Sequence, residues 1–369
     1  NKETRADTTT MNILHVITSL HTGGAEKLLV DLLPRMQQAG HRVELCAFDS
    51  TPTPFAQVLQ SQGIRIHSFH EGIHKVYSPC NIVRLTRLMR QGWDIVHTHN
   101  TAPQLFAAIG SLCSGALLVT TEHNTTNRRR GKAYLKPFDR WMYSHYREVV
   151  CISDQALTNF VEYFGTASRP RLSTIYNGID FHRYAAAQPA ADVRVLSPRI
   201  ITNVAGFRLQ KDQPTLIRAM QQLPDDFHLC LVGDGVRRAE YEALIAQLGL
   251  QSRVHLLGLR SDIPEVLAAS DYVVMCSHYE GLSLSSLEGM ASGRPFLADD
   301  VDGLREIVDQ HGILFPHQDA EAFAREILRL EADAPLRQQV VERCQAKASQ
   351  YDIARVVEQY LRLYMNLVN

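Results

Sequence analysis

Apolar runs of strand length alternate with segments of helical period along almost the whole chain, and the alternation begins afresh once, near the middle. Strands are expected at 11–18, 41–48, 64–69, 94–97, 117–122 and 148–153, with 171–177 closing the first series. Gly23 and Gly24 open a helix that ends at Gly40, and further helices are expected near 82–90, 102–110, 137–146 and up to residue 164. A second series is expected at 200–205, 229–232, 254–257, 272–276 and 295–298, with helices at 215–222 and 238–248. From residue 320 the pattern is helical, ending in an amphipathic helix at 352–367. Strand–helix–strand units close as right-handed parallel crossovers. Each series therefore predicts a doubly wound parallel sheet whose ligands meet the carboxyl ends of the strands.

The stretch 184–192, Y-A-A-A-Q-P-A-A-D, carries no apolar period and is taken as the linker. The expected division is 11–184 and 185–351, two Rossmann-like α/β domains facing each other across a cleft, behind a polar tail at 1–10 that is disordered or appended. A length of 369 residues suits two cores better than one. A net charge of −1 supplies no field that would recruit nucleic acid. The seven cysteines never form C-x-x-C and mostly lie in apolar runs, as expected for reduced thiols in a cytoplasmic protein. No apolar run reaches the roughly 18 residues that span a bilayer. Nothing near the start resembles a signal peptide, and Met11 reads as the natural first residue.

Within this frame the segment 277–295, S-H-Y-E-G-L-S-L-S-S-L-E-G-M-A-S-G-R-P, is the most specific. It places Glu280 in the loop after the strand at 272–276 and Glu288 inside a helix expected at 285–291. Between them, backbone N–H groups at a helix start suit a phosphate. A pyrophosphate there, flanked by carboxylates for sugar hydroxyls, describes a nucleotide-sugar site. Ser285-x-x-Glu288 also fits a capping box, in which Glu288 would merely reach back to the cap N–H.

Other constellations carry less alone. Gly23-Gly24 lets backbone approach a diphosphate, though a plain turn fits as well, and the G-x-G-x-x-G of a dehydrogenase is missing. His97 and His99, two apart in a strand, share a face. With His123 they offer three candidate metal ligands, but no Asp, Glu or Cys stands beside them at ligand spacing, so hydrogen bonding to a sugar is preferred; a satisfied core histidine also fits His97. Arg208 and Lys211 leave a strand three apart and can converge on one phosphate, or belong to an ordinary charged loop. Gly233 in V-G-D-G marks a tight turn and a pocket wall, and Leu259 follows a strand where backbone can meet a base edge. From Arg128 to Arg147, seven basic residues accompany one acid, Asp139. Phe138, Trp141, Met142 and His145 are expected to form an inward stripe. The exposed remainder suits an anionic lipid surface or a pyrophosphate-linked acceptor, or is a solvated charge run.

In chain order, G-G-A-E at 23–26, H-T-H at 97–99, C-I-S at 151–153, N-G-I-D at 177–180, R-L-Q-K at 208–211, V-G-D-G at 232–235 and E-G-L-S-L-S-S-L-E at 280–288 resemble glycosyltransferase family 4, the retaining GT-B enzymes. The resemblance runs from Met11 to about Leu367. It implies that Glu280 contacts the donor sugar near its reacting carbon, and that Glu288 binds the ribose hydroxyls. Backbone at Leu284 and Ser285 would meet the diphosphate, and Gly281, Leu282 and Ser283 would surround the sugar. Arg208 and Lys211 would neutralise the leaving diphosphate, Gly24 would approach it from the other domain, and His99 would bond a donor-sugar hydroxyl. It further implies that no divalent metal is needed and that the last helix, 352–369, returns to the N-terminal half. The family often places Arg five residues before the lysine; here that position is Gly206, and Arg208 is expected to substitute.

The expected function is retaining transfer of a sugar from a UDP- or GDP-sugar to a glycan or lipid-linked acceptor. The acceptor is expected to enter past His123, Asn124, Arg128 and Arg129. Surface polysaccharide, capsule or lipopolysaccharide synthesis is the setting, in the cytoplasm or peripherally on the inner face of the membrane. The alternatives are a sugar-nucleotide epimerase acting on the donor alone and a non-catalytic nucleotide-binding module.

Overall fold

The computed structural model describes residues 10–21, 23–123, 133–165, 170–280 and 282–369. The chain separates into two units, 1–177 with 353–369 and 178–352. The first holds a seven-stranded sheet: β1 Asn12–Ile17, β2 Arg42–Asp49, β3 Arg65–His70, β4 Ile95–His99, β5 Leu117–Glu122, β6 Glu148–Cys151 and β7 Arg171–Thr174, in the order β3-β2-β1-β4-β5-β6-β7. The second holds six: β8 Arg199–Val204, β9 Phe227–Val232, β10 Val254–Gly258, β11 Tyr272–Met275, β12 Phe296–Asp299 and β13 Ile313–Phe315, in the order β10-β9-β8-β11-β12-β13. Every pair is parallel, as strands linked by helices must be. Strand order reverses between β1 and β4 and between β8 and β11, the switch points where open sheets of this kind bind ligands.

The central strands read as nearly unbroken apolar runs because helices cover both faces. On one face of the first sheet, Ile13, Ile17, Ile95 and Val119 pack with Leu28, Leu32 and Met36 of the helix Gly24–Gln38. The last helix, Ile353–Val368, belongs to this unit, adding Ile353, Val356, Val357, Tyr360, Leu361 and Tyr364 at helical spacing to the same core. The other face buries Leu14, Val16, Phe48, Phe106, Met142 and Tyr146. Each fully buried side chain of this size contributes roughly 1.5–3 kcal/mol.

Two expectations need correction. The stretch 184–192 is not a linker: helices Phe181–Ala185 and Ala191–Arg194 enter it from its two ends, Tyr184 within it and Val193 just after it are buried in the second unit, and the units part at 177/178. The alanines concealed the pattern, since two isolated large residues do the anchoring. Likewise the helix Lys136–Ser144 turns Asp139, Met142 and Tyr143 inward. Phe138 and Trp141 stay 41% and 40% exposed, so the inward stripe lies about one residue round the helix from the expected one.

Candidate active site

At the switch point of the second sheet the loop leaving β8 and the loop leaving β11 are joined. Lys211 and Ser277 form an isolated antiparallel bridge, and the Asp212 N–H donates to the Cys276 carbonyl at 3.1 Å. Across this bridge the Lys211 ammonium is paired with the Glu280 carboxylate, their side chains only 15% and 9% exposed. Ser277 Oγ donates to Glu280 Oε1 at 2.7 Å, and Gln210 Nε2 donates to the Tyr279 carbonyl at 2.9 Å. A carboxylate so shielded needs a cation and a hydroxyl to be stable, and it has both.

The helix that follows is Leu284–Ala291. Its cap is Ser283, whose hydroxyl accepts from the Ser286 N–H at 3.3 Å, so Ser285 lies inside the helix and the capping-box reading of Ser285 with Glu288 falls away. Glu288 is buried in the helix at 8% exposure. The first-turn amides of Leu284 and Ser285 therefore begin a helix beside Glu280, with the partial positive charge that suits a diphosphate. Gly281 lies outside the described residues.

The loop of Arg208 is clamped from below by the V-G-D-G turn. A Cβ on Gly233, whose φ is +142°, would lie 2.2 Å from the Ala205 carbonyl oxygen, and Phe207 N–H donates to the Asp234 carbonyl at 3.0 Å. Gly233 is thus required by close backbone approach and positive φ. Arg208 is exposed and folds along its own loop, its Nε 3.5 Å from where a Cβ on Gly206 would stand. A Cβ there would make only ordinary van der Waals contact, so the side chain missing at 206 is not what makes room for Arg208. Leu259 is 74% exposed after β10.

The first sheet has a different switch point. His15 of β1 pairs in register with His97 of β4, and the rings of His97 and His99 stack at 4.5 Å, confirming their shared face. His97 is a satisfied core histidine: Nδ1 meets the Tyr364 hydroxyl at 2.5 Å and Nε2 the Thr121 hydroxyl at 2.8 Å. His99 is fully buried with both nitrogens engaged, Nε2 with His15 Nδ1 at 3.0 Å and Nδ1 with His123 Nε2 at 2.8 Å. A sugar hydroxyl would bond His99 only by displacing one of these neighbours. His15 Nε2 and His123 Nδ1, the two ends of the chain, are buried without a partner. Burial lowers His15 to about 3 and His123 to about 4, and pushes His97 and His99 well down, so all four rings are neutral at pH 7. His15, Tyr360 and Tyr364 were missed in the sequence; the parity of His15 within an apolar strand was the available signal.

At the helix start in this unit a Cβ on Gly24 would meet nothing within 4 Å, while one on Gly23 would meet Glu26 Oε2 at 2.3 Å. Asn124, Arg128 and Arg129 lie outside the described residues. Three described groups bring metal-ligating atoms within 4.8 Å: His15 with His97 and His99, Asp212 with His278 and His317, and Asp212 with Cys276 and Asp299. In the first, His97 and His99 already spend both ring nitrogens on hydrogen bonds.

Two Rossmann-like parallel sheets, each with a polar cluster at its switch point, define the GT-B class of transferases. The sequence pattern described as Glycosyltransferase Family 4 matches residues 22–183, and that described as Glycosyl transferases group 1 matches 188–347. The chain belongs to the family 4 glycosyltransferases. It is 25% identical to N-acetyl-alpha-D-glucosaminyl L-malate synthase of Bacillus anthracis, over 94% of each chain. It is also 25% identical to UDP-Gal:alpha-D-GlcNAc-diphosphoundecaprenol alpha-1,3-galactosyltransferase of Escherichia coli, over 78% of this chain and 79% of that one. In fold it resembles the crystal structure of Anabaena Alr3699/HepE in complex with UDP, with a TM-score of 0.80 and 23% identity over 96% of this chain and 100% of the other.

Proposed function

We propose that this glycosyltransferase moves a sugar, with retention and without a divalent metal, from a UDP-sugar or GDP-sugar to a lipid-linked or glycan acceptor in surface polysaccharide or lipopolysaccharide synthesis. The observation that carries the reading is the buried Lys211–Glu280 pair at the switch point of the second sheet, beside the start of the helix Leu284–Ala291. When a diphosphate leaves, negative charge develops on its oxygens. A lysine, a guanidinium and helix amides converging on it would stabilise that charge without a metal ion. On this reading Lys211 and Arg208 bind the diphosphate and Glu280 orients the sugar. Glu288 takes the ribose hydroxyls, and Leu259, Leu282 and Ser283 line the donor. A UDP donor is favoured by the named substrate of the E. coli relative and by the UDP in the Anabaena structure.

The acceptor reading rests on the first unit. His123, just past β5, is a neutral ring whose Nδ1 has no partner among the described residues and is able to bond an acceptor hydroxyl. His99, the ring expected at the donor sugar, has both nitrogens engaged by His15 and His123. The E. coli relative names a diphosphoundecaprenol acceptor, which supports a membrane-held substrate. Among the described residues no helix is long and apolar enough to cross a membrane. Exposed Tyr134, Phe138 and Trp141 beside Arg140 instead suit a peripheral interface with anionic lipid.

A thermal-shift panel of nucleoside diphosphates, with and without magnesium, tests the donor reading. UDP or GDP should raise the melting temperature equally under both conditions. A shift that requires magnesium would refute metal independence. Incubation with donor alone that yields a new sugar nucleotide would make the protein an epimerase instead.

A further inference from the structure

Three consecutive residues leading to Glu280 are tied to one buried carboxylate. Asp299, the last residue of β12, is fully buried. Its Oδ1 accepts from Cys276 Sγ at 3.0 Å, and its Oδ2 accepts from the Ser277 N–H at 3.2 Å. The same Oδ2 faces His317 Nδ1, just beyond β13, at 2.9 Å, and His317 Nε2 lies 3.2 Å from His278 Nδ1. Cys276, Ser277 and His278 are thereby held in a row by Asp299 at the end of β12 and His317 in the turn after β13. The middle one, Ser277, is itself fully buried and passes the constraint on, since its hydroxyl donates to Glu280 Oε1 at 2.7 Å.

We infer that Asp299 and His317 are positioning residues that fix the Glu280 carboxylate through Ser277; this rests on the role proposed for Glu280. A buried carboxylate is a costly way to hold a loop that apolar packing could hold. Burial does raise Asp299 above the ordinary carboxylate range, opposed by its bonds to Cys276 and His317. What the carboxylate supplies, and apolar packing does not, is direction. It sets the Ser277 backbone, and Ser277 sets which oxygen of Glu280 is shared with Lys211 and which is left for the donor. An error of about 1 Å at a reacting group costs on the order of 100-fold in rate, so such a device has something to protect.

The test is a mutant cycle in steady-state transfer assays on the full chain. Ser277→Ala, Asp299→Asn and His317→Gln are each made in the wild-type protein and in the Glu280→Asp variant, whose shortened carboxylate cannot keep the Ser277 bond. In the wild-type background each should lower kcat roughly 10-fold or more, while KM for the nucleotide-sugar stays within about twofold. In the Glu280→Asp background the same changes should cost little more, because the path they act through is already broken. Equal losses in both backgrounds, or losses confined to KM, would overturn the inference while leaving Glu280 in place. Full turnover by Glu280→Asp alone would instead remove the reading on which it rests. If Asp299→Asn does not fold, Ser277→Ala and His317→Gln decide the matter.

Discussion

The two units share a strand order and reverse it at the same step, yet they furnish the reversal with opposite chemistry. At β1/β4 four imidazoles and two phenols form a neutral cluster, buried except at the partly exposed His123. At β8/β11 an ammonium, a carboxylate and a second carboxylate beneath it form a charged one. One architecture thus carries a neutral imidazole cluster at one reversal and a charged pair at the other. The difference lies in which side chains end the central strands, and not in the strands themselves.

The largest effect that separates the units should come from Glu280→Gln. It should lower transfer on the order of 100- to 1000-fold while the melting temperature falls little, as assays of turnover and thermal unfolding would show. A loss of stability in proportion to the loss of rate would make the pair structural.

The histidine chain predicts a pH response confined to the first unit. Its rings are held far below the ordinary value of 6.5, with His15 at about 3 and His123 at about 4. Below pH 6.5 the unfolded chain takes up protons that the folded chain refuses. Stability is therefore complete above that value and is lost as pH falls from about 6.5 toward about 4. Both tryptophans, Trp93 and Trp141, lie in the first unit, so their fluorescence reports it alone. At about pH 4.5 the fluorescence transition should precede the loss of far-UV helicity. Coincident transitions would mean the chain adds no special acid sensitivity.

Smaller effects test the second unit's scaffold. Gly233→Ala should cost about 2–3 kcal/mol in denaturant unfolding, because its Cβ would collide with backbone at a φ that alanine resists. Ser283→Ala should cost about 1 kcal/mol through loss of the cap. A larger effect from the cap than from the glycine would reverse this ranking of supports.

Much of this was legible in the chain because period and punctuation are local. The alternation predicted all seven strands of the first sheet and five of the six in the second, missing the three-residue β13. The placement of Glu280 in a loop and Glu288 in a helix followed from a strand run and a glycine. What stayed hidden was non-local. Nothing near His15 shows that Tyr364 will close over its neighbour from the far end of the chain. Nothing near Glu280 shows that Asp299, at the end of β12, and His317, in the turn after β13, will converge on Ser277 and its neighbours. The alanine-rich 184–192 failed for another reason, since its helices are short, are anchored mainly by Tyr184 and Val193, and show no period. The cap at Ser283 was misplaced by two residues because two serines compete for it in sequence, and only backbone geometry decides.

The most direct test is calorimetric titration of UDP and of GDP, without sugar, into the wild-type protein, Lys211→Ala and His99→Ala. If the diphosphate is held by the second unit, one nucleotide should bind the wild type. Lys211→Ala should weaken that binding at least about tenfold, as expected for loss of a charged hydrogen bond, while His99→Ala should leave it within about twofold. Undiminished affinity in Lys211→Ala, or loss of binding in His99→Ala alone, would contradict it.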